Sequence, residues 1–225
     1  LASGWPADDP DHRTLDLEAR DGVLFAGLST GSGTAGGDVL AGTVQGGNGP
    51  NPPHRGTLLR VDLASGGVSY VAGGFREPRA ILPLPDREEV LVGDRAGAWT
   101  PAHRIDAVRP GRFYGHYNET RVRTDRYPSG GSASLFSDLP ISPPAVWLPP
   151  SEISGGPSDF LRLEEGPFAG QILVADVAGG GLRRVWLEEV DGELQGGVTR
   201  HSQGFEGGTH RLLSLADGSI AVGMA

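Results

Sequence analysis

Four segments of this chain repeat one pattern: an apolar run ending in a small residue or Asp, in three cases just after a turn built on Asp. They are DGVLFAG at 21–27, DREEVLVGD at 86–94, GQILVAD at 170–176 and DGSIAVGM at 217–224. A polar turn feeding a run of alternating or fully apolar β-formers reads as a strand entering a buried position in a sheet. The three Asp-turn copies also share an upstream strand: RTLDLEAR at 13–20, RAILPLPD at 79–86 and HRLLSLAD at 210–217, each opened by a basic residue and closed by the Asp turn. Half-blades recurring at intervals of tens of residues are the signature of a propeller and not of one sandwich, and a propeller places its ligands at the central mouth.

The expected fold is therefore all-β, a β-propeller, partial or six-bladed in type, built of four-stranded antiparallel blades. Glycine supplies 37 and proline 18 of the 225 residues, and no stretch carries an apolar i, i+3, i+4, i+7 stripe long enough for a core helix. One propeller segment spans 1–225, with long loop insertions at about 28–55 and 95–155. The runs GTLLRVDL at 56–63, GVSYVA at 67–72, RAILPL at 79–84 and VLVGD at 90–94 read as one complete blade. A polar excursion follows to about Pro150, and a second blade begins near Gly155 with GLRRVWL at 181–187 as its middle strand. The chain opens without Met and stops on an apolar run, so it reads as a fragment. A six-bladed ring at about 40 to 45 residues per blade would need more chain than the loops leave.

Charge and composition exclude several functions. The net charge is −9, so a polyanion meets a repulsive field and nucleic acid is not an expected partner. All 19 basic residues are Arg, which removes Schiff-base chemistry and the lysine of a phosphate-binding loop. Without Cys there is no thiol catalysis, thiolate-ligated zinc or iron–sulfur cluster. No apolar stretch approaches the roughly 18 residues of a membrane span.

The order of motifs from about residue 56 resembles the soluble quinoprotein glucose/sorbosone dehydrogenase family of six-bladed propellers. The residues that carry the likeness are GTLLRVD at 56–62, GFREPRAI at 74–81, LVGDRAG at 91–97 and GRFYG at 111–115. Downstream, GPS at 156–158, FAGQILVAD at 168–176, GLRRV at 181–185 and His210-Arg211 before the Asp217-Gly218 turn continue it. In that family an Arg-Val-like strand end precedes a Gly-x-Arg-Asn-x-x-Gly motif, an Asp-bearing strand and a Gly-x-x-Tyr-Gly turn. PPAVWLP at 143–149 is closer to divergent relatives in multidomain, haem-associated bacterial proteins.

The resemblance implies pyrroloquinoline quinone (PQQ) over the propeller mouth, a nearby Ca²⁺, oxidation of a sugar or related polyol by hydride transfer, a redox partner domain, and a periplasmic or secreted location. A quinone bearing several carboxylates calls for bidentate guanidinium donors. Arg76 matches the motif arginine and Arg211 a mouth arginine, with His210 beside it. His12 and His103 are the candidate general bases, and Asp94, Glu77 and Asp176 the candidate metal ligands. Three positions depart from the pattern: Glu77 stands at the motif's Asn, His103-Arg104 where the family has an acidic residue after its calcium loop, and His12 one residue out of register. Arg76 and Arg211 serve equally as structural partners of Glu77 or Asp94, and Asp94 and Asp176 as caps on turn backbone. Tyr114, His116 and Tyr117 could meet sugar rings or pack a loop on a blade. Three readings stay open. They are a quinoprotein-like sugar dehydrogenase, a non-catalytic propeller binding a glycan or protein, and a metal-dependent lactonase or hydrolase using Glu77, Asp94, Asn118 and Asp176. If the first holds, Arg76, Asp94, Asp176 and Arg211 converge on a common channel.

Overall fold

The computed structural model describes residues 14–29, 56–85, 87–95, 102–116, 139–150 and 152–225, and within them every regular element is a strand. The first four-stranded antiparallel sheet is β1 (Thr14–Arg20), β2 (Val23–Leu28), β3 (Thr57–Asp62) and β4 (Val68–Gly73). The second is β5 (Pro78–Pro83), β6 (Val90–Asp94), β7 (His103–Val108) and β8 (Val146–Leu148). The third is β9 (Pro157–Arg162), β10 (Ile172–Asp176), β11 (Gly181–Val190) and β12 (Glu193–Gln203), and β13 (Thr209–Ser214) with β14 (Ile220–Met224) begins a fourth. The four recurring segments of the sequence are the second strands β2, β6, β10 and β14. The Asp turns that feed two of them close the hairpins β1–β2 and β13–β14, while Asp86, expected to do the same between β5 and β6, lies outside the described residues. First strands lie side by side, β1 against β5, β5 against β9 and β9 against β13. This is the arrangement of blades about an axis with the first strand innermost, and the sheets do not close into a ring.

Local chemistry sets these hairpins. Arg20 pairs directly with Val23, leaving Asp21 and Gly22 as a two-residue loop at φ 50° and 77°. Asp191 and Gly192 do the same between β11 and β12 at φ 52° and 79°. Two consecutive positive φ values define the type I′ turn, whose twist matches the flanking strands, and Asp-Gly is among its preferred sequences. Alternation then divides each strand between two interfaces. Leu58, Val71, Phe75, Ile81, Val90, Val92 and Val108 fill the space between the first two sheets. Leu91, Ile105, Val146 and Leu148 meet Phe160, Ile172, Val174 and Val185 between the second and third. Leu173, Leu182 and Leu212 join the third to the fourth.

The first expected blade is displaced by two strands, whereas the second, expected from near Gly155 with 181–187 as a middle strand, is the third sheet. The expected single blade of 56–94 is the outer half of one sheet and the inner half of the next, divided at residues 74–77. There Gly74 adopts φ 89° and approaches Phe113 so closely that a Cβ would lie 2.6 Å from its ring. Short antiparallel connections look alike in sequence whether they stay in a sheet or leave it. The expected excursion of 95–155 also contains β7 and β8, which complete the second sheet. Most of the insertion expected at 28–55 lies outside the described residues.

Carboxylates join neighbouring first strands. Asp16, Ala80, Asp159 and Arg211 hold one register position, opposite Gly27, Gly93, Ala175 and Gly223. Asp16 Oδ2 accepts the Ile81 N–H at 2.9 Å and Asp159 Oδ2 accepts the Leu212 N–H at 2.7 Å, each reaching the same place in the next blade. Where Ala80 offers no such acceptor, the Phe160 N–H turns to Asp159 Oδ1 at 2.9 Å.

At the far end of the second blade an ion-pair network ties it to the β11–β12 hairpin. Glu89 accepts from Arg87 and Arg109, while Glu193 accepts from Arg109 and Arg112. Hydrogen bonds from Arg87 and Arg109 hold the Glu89 carboxyl down to about 2. A depressed pKa contributes stability that is fully present above the ordinary value of 4.5 and is lost as pH falls toward 2. The partner arginines are about a third exposed and solvent screens the pairs, so Glu89→Gln is expected to cost about 1 kcal/mol at neutral pH. Urea unfolding at pH 7 and at pH 3 checks this: the difference between the two proteins should narrow at the lower pH.

Candidate active site

The end of the sheets where second strands finish and first strands begin collects nearly all the residues that sequence reasoning marks. Arg76 and Glu77 lie on the β4–β5 connection, Asp94 ends β6, His103 opens β7, Asp176 ends β10, and His210 and Arg211 sit near the start of β13. His12, Tyr117 and Asn118 lie outside the described residues.

At the centre of this rim one carboxylate faces three guanidinium groups. Glu77 lies 3.2 Å from Arg76, 3.3 Å from Arg79 and 3.7 Å from Arg95. Its backbone is fixed on both sides, the N–H donating to Asp94 Oδ1 at 2.7 Å and the carbonyl accepting the Arg95 N–H at 3.1 Å. The Glu77 side chain is 9% exposed, against 20% for Arg76, 30% for Arg79 and 39% for Arg95. The carboxylate is thus the floor of the cluster and the arginines are its walls. The charge left by Glu77 at the motif's Asn is met by cations of the protein itself.

Two buried histidines adjoin the cluster. Burial, reinforced by Arg95 and Arg76, lowers the His103 pKa, and burial beside Arg76 pushes His116 down to about 3. Both imidazoles are therefore neutral at pH 7. Tyr114 belongs to the scaffold: its ring stacks on Phe75 at 5.1 Å, and its hydroxyl donates to the Ala107 carbonyl and accepts the Arg109 N–H. Arg104, buried under Trp147, donates to Asp106 and to the Tyr114 and Ser142 carbonyls, pinning this loop to β7.

The carboxylates expected to hold a metal are engaged elsewhere. Asp94 accepts the N–H groups of Arg76 and Glu77, and burial raises its pKa to about 7. Asp176, fully buried, accepts from Gly155, Ala178 and Gly179 and pairs with Arg183 at 2.8 Å. Both stand on second strands and not on innermost ones, where they cap the turns around them. Among the described residues no three His, Asp or Glu side chains are placed to share a metal ion. Calcium does not fit these donors. An anionic cofactor does fit the arginine cluster.

Arg211 stands apart. Its guanidinium pairs with Asp16 at 2.7 Å and lies 3.6 Å from Asp159, joining first strands of the first, third and fourth sheets. The expected convergence therefore divides into a cluster at Arg76 and Glu77, two buried caps at Asp94 and Asp176, and an inter-blade link at Arg211. Half-buried His210 occupies the irregular position beside that link, between Thr209 and Arg211. Sequence reasoning passed over Arg79, Arg95 and Arg183, although every one of them lies within or next to a quoted motif. It also missed Asp16 and Asp159, whose signal is a charge between the apolar residues of a strand.

No protein-family model matches the sequence, and no curated protein is a significant match. Solved structures do match. An oxidoreductase of Thermus thermophilus described as a glucose dehydrogenase superposes with a TM-score of 0.66 at 18% identity, over 97% of this chain and 62% of its own. The fold is that of the sugar dehydrogenase propellers. The soluble aldose sugar dehydrogenase of Escherichia coli, in its apo form, gives a TM-score of 0.53 at 14% identity, covering 89% of this chain and 57% of that one. The PQQ-bound aldose sugar dehydrogenase of Streptomyces coelicolor gives 0.50 at 18%, with 84% and 48% covered. The chain thus spans about three fifths of the length of the first structures it matches.

Removing one partner of a buried ion pair costs about 3 to 5 kcal/mol, because the other charge is left uncompensated. Asp176→Ala, which strands Arg183 and three N–H groups, is expected to lose about that much. Thermal unfolding should show the same loss in calcium and in EDTA; a loss seen only in calcium would make Asp176 a metal ligand after all.

Proposed function

We propose that the chain is the site-bearing part of a quinoprotein-like dehydrogenase that oxidises a sugar or related alcohol, using PQQ held at the rim by Arg76, Arg79 and Arg95. The observation that carries this reading is the arginine cluster beside a buried neutral histidine, on a fold shared with glucose and aldose sugar dehydrogenases. Guanidinium groups match carboxylates bidentately and stay charged at every physiological pH. When bound, the quinone supplies the capacity to accept a hydride, which no side chain of this protein has.

The chain's own residues bind, orient and move a proton. Arg76 is fixed by Asp94 through its backbone and by Glu77 through its side chain, so its donors are set before a ligand arrives. His103, kept neutral by burial, takes the hydroxyl proton of the alcohol on an imidazole nitrogen as the carbon is oxidised. Among the described residues no helix is long and apolar enough to cross a membrane. The same reading places the protein in the periplasm or outside the cell, with a separate domain or protein as electron acceptor.

Reconstitution of the full-length protein with PQQ, followed by a dye-reduction screen over sugars, tests this. His103→Gln is expected to lower kcat/KM by ~100-fold with PQQ affinity retained. Because His103 acts as the neutral base and its pKa lies below 6.5, the acid limb of the pH profile should fall below pH 6.5. No turnover with any sugar, or an unchanged His103→Gln enzyme, would sink the reading.

A further inference from the structure

We infer that Glu77 is an internal counter-anion occupying the arginine cradle, and that it sets which ligands enter: polycarboxylates displace it from the outer guanidinium groups, whereas single anions do not. The inference rests on the proposed function for where the ligand binds, but its evidence is the geometry of the cluster.

One carboxylate cannot satisfy three guanidinium groups. Each arginine carries five N–H donors, whereas a carboxylate has about four acceptor sites, fewer than three guanidinium groups can use. The pairing distances grade accordingly, from 3.2 Å to Arg76 and 3.3 Å to Arg79 out to 3.7 Å to Arg95, past hydrogen-bonding length. Exposure rises in the same order, so the weakest pair involves the most accessible arginine. With three cations against Glu77 the cluster is positive, and it stays positive even if Asp94 beneath it is counted as charged.

Glu77 itself cannot leave. Its N–H and carbonyl are both held and its side chain is almost buried. A ligand carboxylate therefore competes for Arg95 and Arg79 while Glu77 keeps Arg76. The resident negative charge offsets part of the pull that the guanidinium groups exert on any anion that enters. A ligand recovers that only with at least two carboxylates, one for each outer arginine. Glu77 is in this sense a specificity-determining residue, raising the threshold for weak anions without emptying the cradle.

Calorimetric titration with malonate, and with acetate as the single-charge control, tests the inference on the folded wild-type chain at low salt. Malonate should bind the wild type measurably and acetate should not. Glu77→Gln, which keeps shape and removes charge, should bind malonate about tenfold more tightly and gain acetate binding. Arg95→Gln in the wild-type background should weaken malonate at least fivefold. A folded Glu77→Gln protein with unchanged or weaker malonate affinity overturns the inference. If that variant does not fold, an Arg95→Gln protein that binds malonate like the wild type overturns it alone. PQQ that fails to bind while malonate behaves as expected would defeat the proposed cofactor and leave the role of Glu77 standing.

Discussion

The arrangement of the blades depends on acceptors for backbone N–H groups at the edges and mouths of the sheets. In a propeller the first strand of each blade is an edge strand, with main-chain groups that no strand of its own sheet can pair. Leaving such a group buried and unsatisfied costs about 1 to 3 kcal/mol. Asp16 and Asp159 meet this cost by reaching into the next blade at one register position, and Phe160 shows the local substitute where Ala80 interrupts the series. Asp94 and Asp176 do the same for the turns at the mouth. Blade angle and turn shape are thus set by short acids buried in an otherwise apolar stack.

This explains why carboxylates at the mouth are poor metal ligands and why the arginines matter more. An Asp accepting two or three N–H groups has little left to offer a cation. Arg76 inherits its position from Asp94, and Glu77 from Asp94 and Arg95, so the cationic cluster is built on top of the structural acids. Above those acids the rim presents three guanidinium groups, one constrained carboxylate and neutral histidines.

The β-propeller was legible in the sequence because Asp turns and apolar runs recur with one phase, and each recurrence is the second strand of a sheet. The boundary at 74–77 was not, since that connection, which leaves a sheet, is as short as one that stays within it. Nor were β7 and β8. His103 to Val108 is a buried strand carrying His, Arg and Asp, and those charges become tolerable only through the Arg104 bonds to Asp106, Tyr114 and Ser142. Of the site, Arg76, Glu77 and His103 were found by motif, whereas Arg79 and Arg95 needed coordinates. What places all three arginines on one carboxylate is the pairing of Pro78 with Asp94, which puts the starts and ends of β5 and β6 together.

The acids of this protein divide by position into two classes with opposite linkage to pH. In the interior, burial raises Asp94 to about 7 and Asp106 to about 6, so folding favours their protonated forms. Their contribution weakens as pH rises from 3.8 through those values. At the opposite end of the second blade, Arg partners hold Glu89 near 2, and its contribution weakens as pH falls below 4.5. The two slopes oppose each other and meet in a maximum near pH 4, between the ordinary values of 3.8 and 4.5. Asp94, at the mouth, is therefore the carboxyl readiest to exchange a proton near pH 7, while Glu89 at the far end stays ionised. The difference lies in the partners: Asp94 is buried against backbone N–H groups, whereas Glu89, just as covered, is met by the guanidinium groups of Arg87 and Arg109.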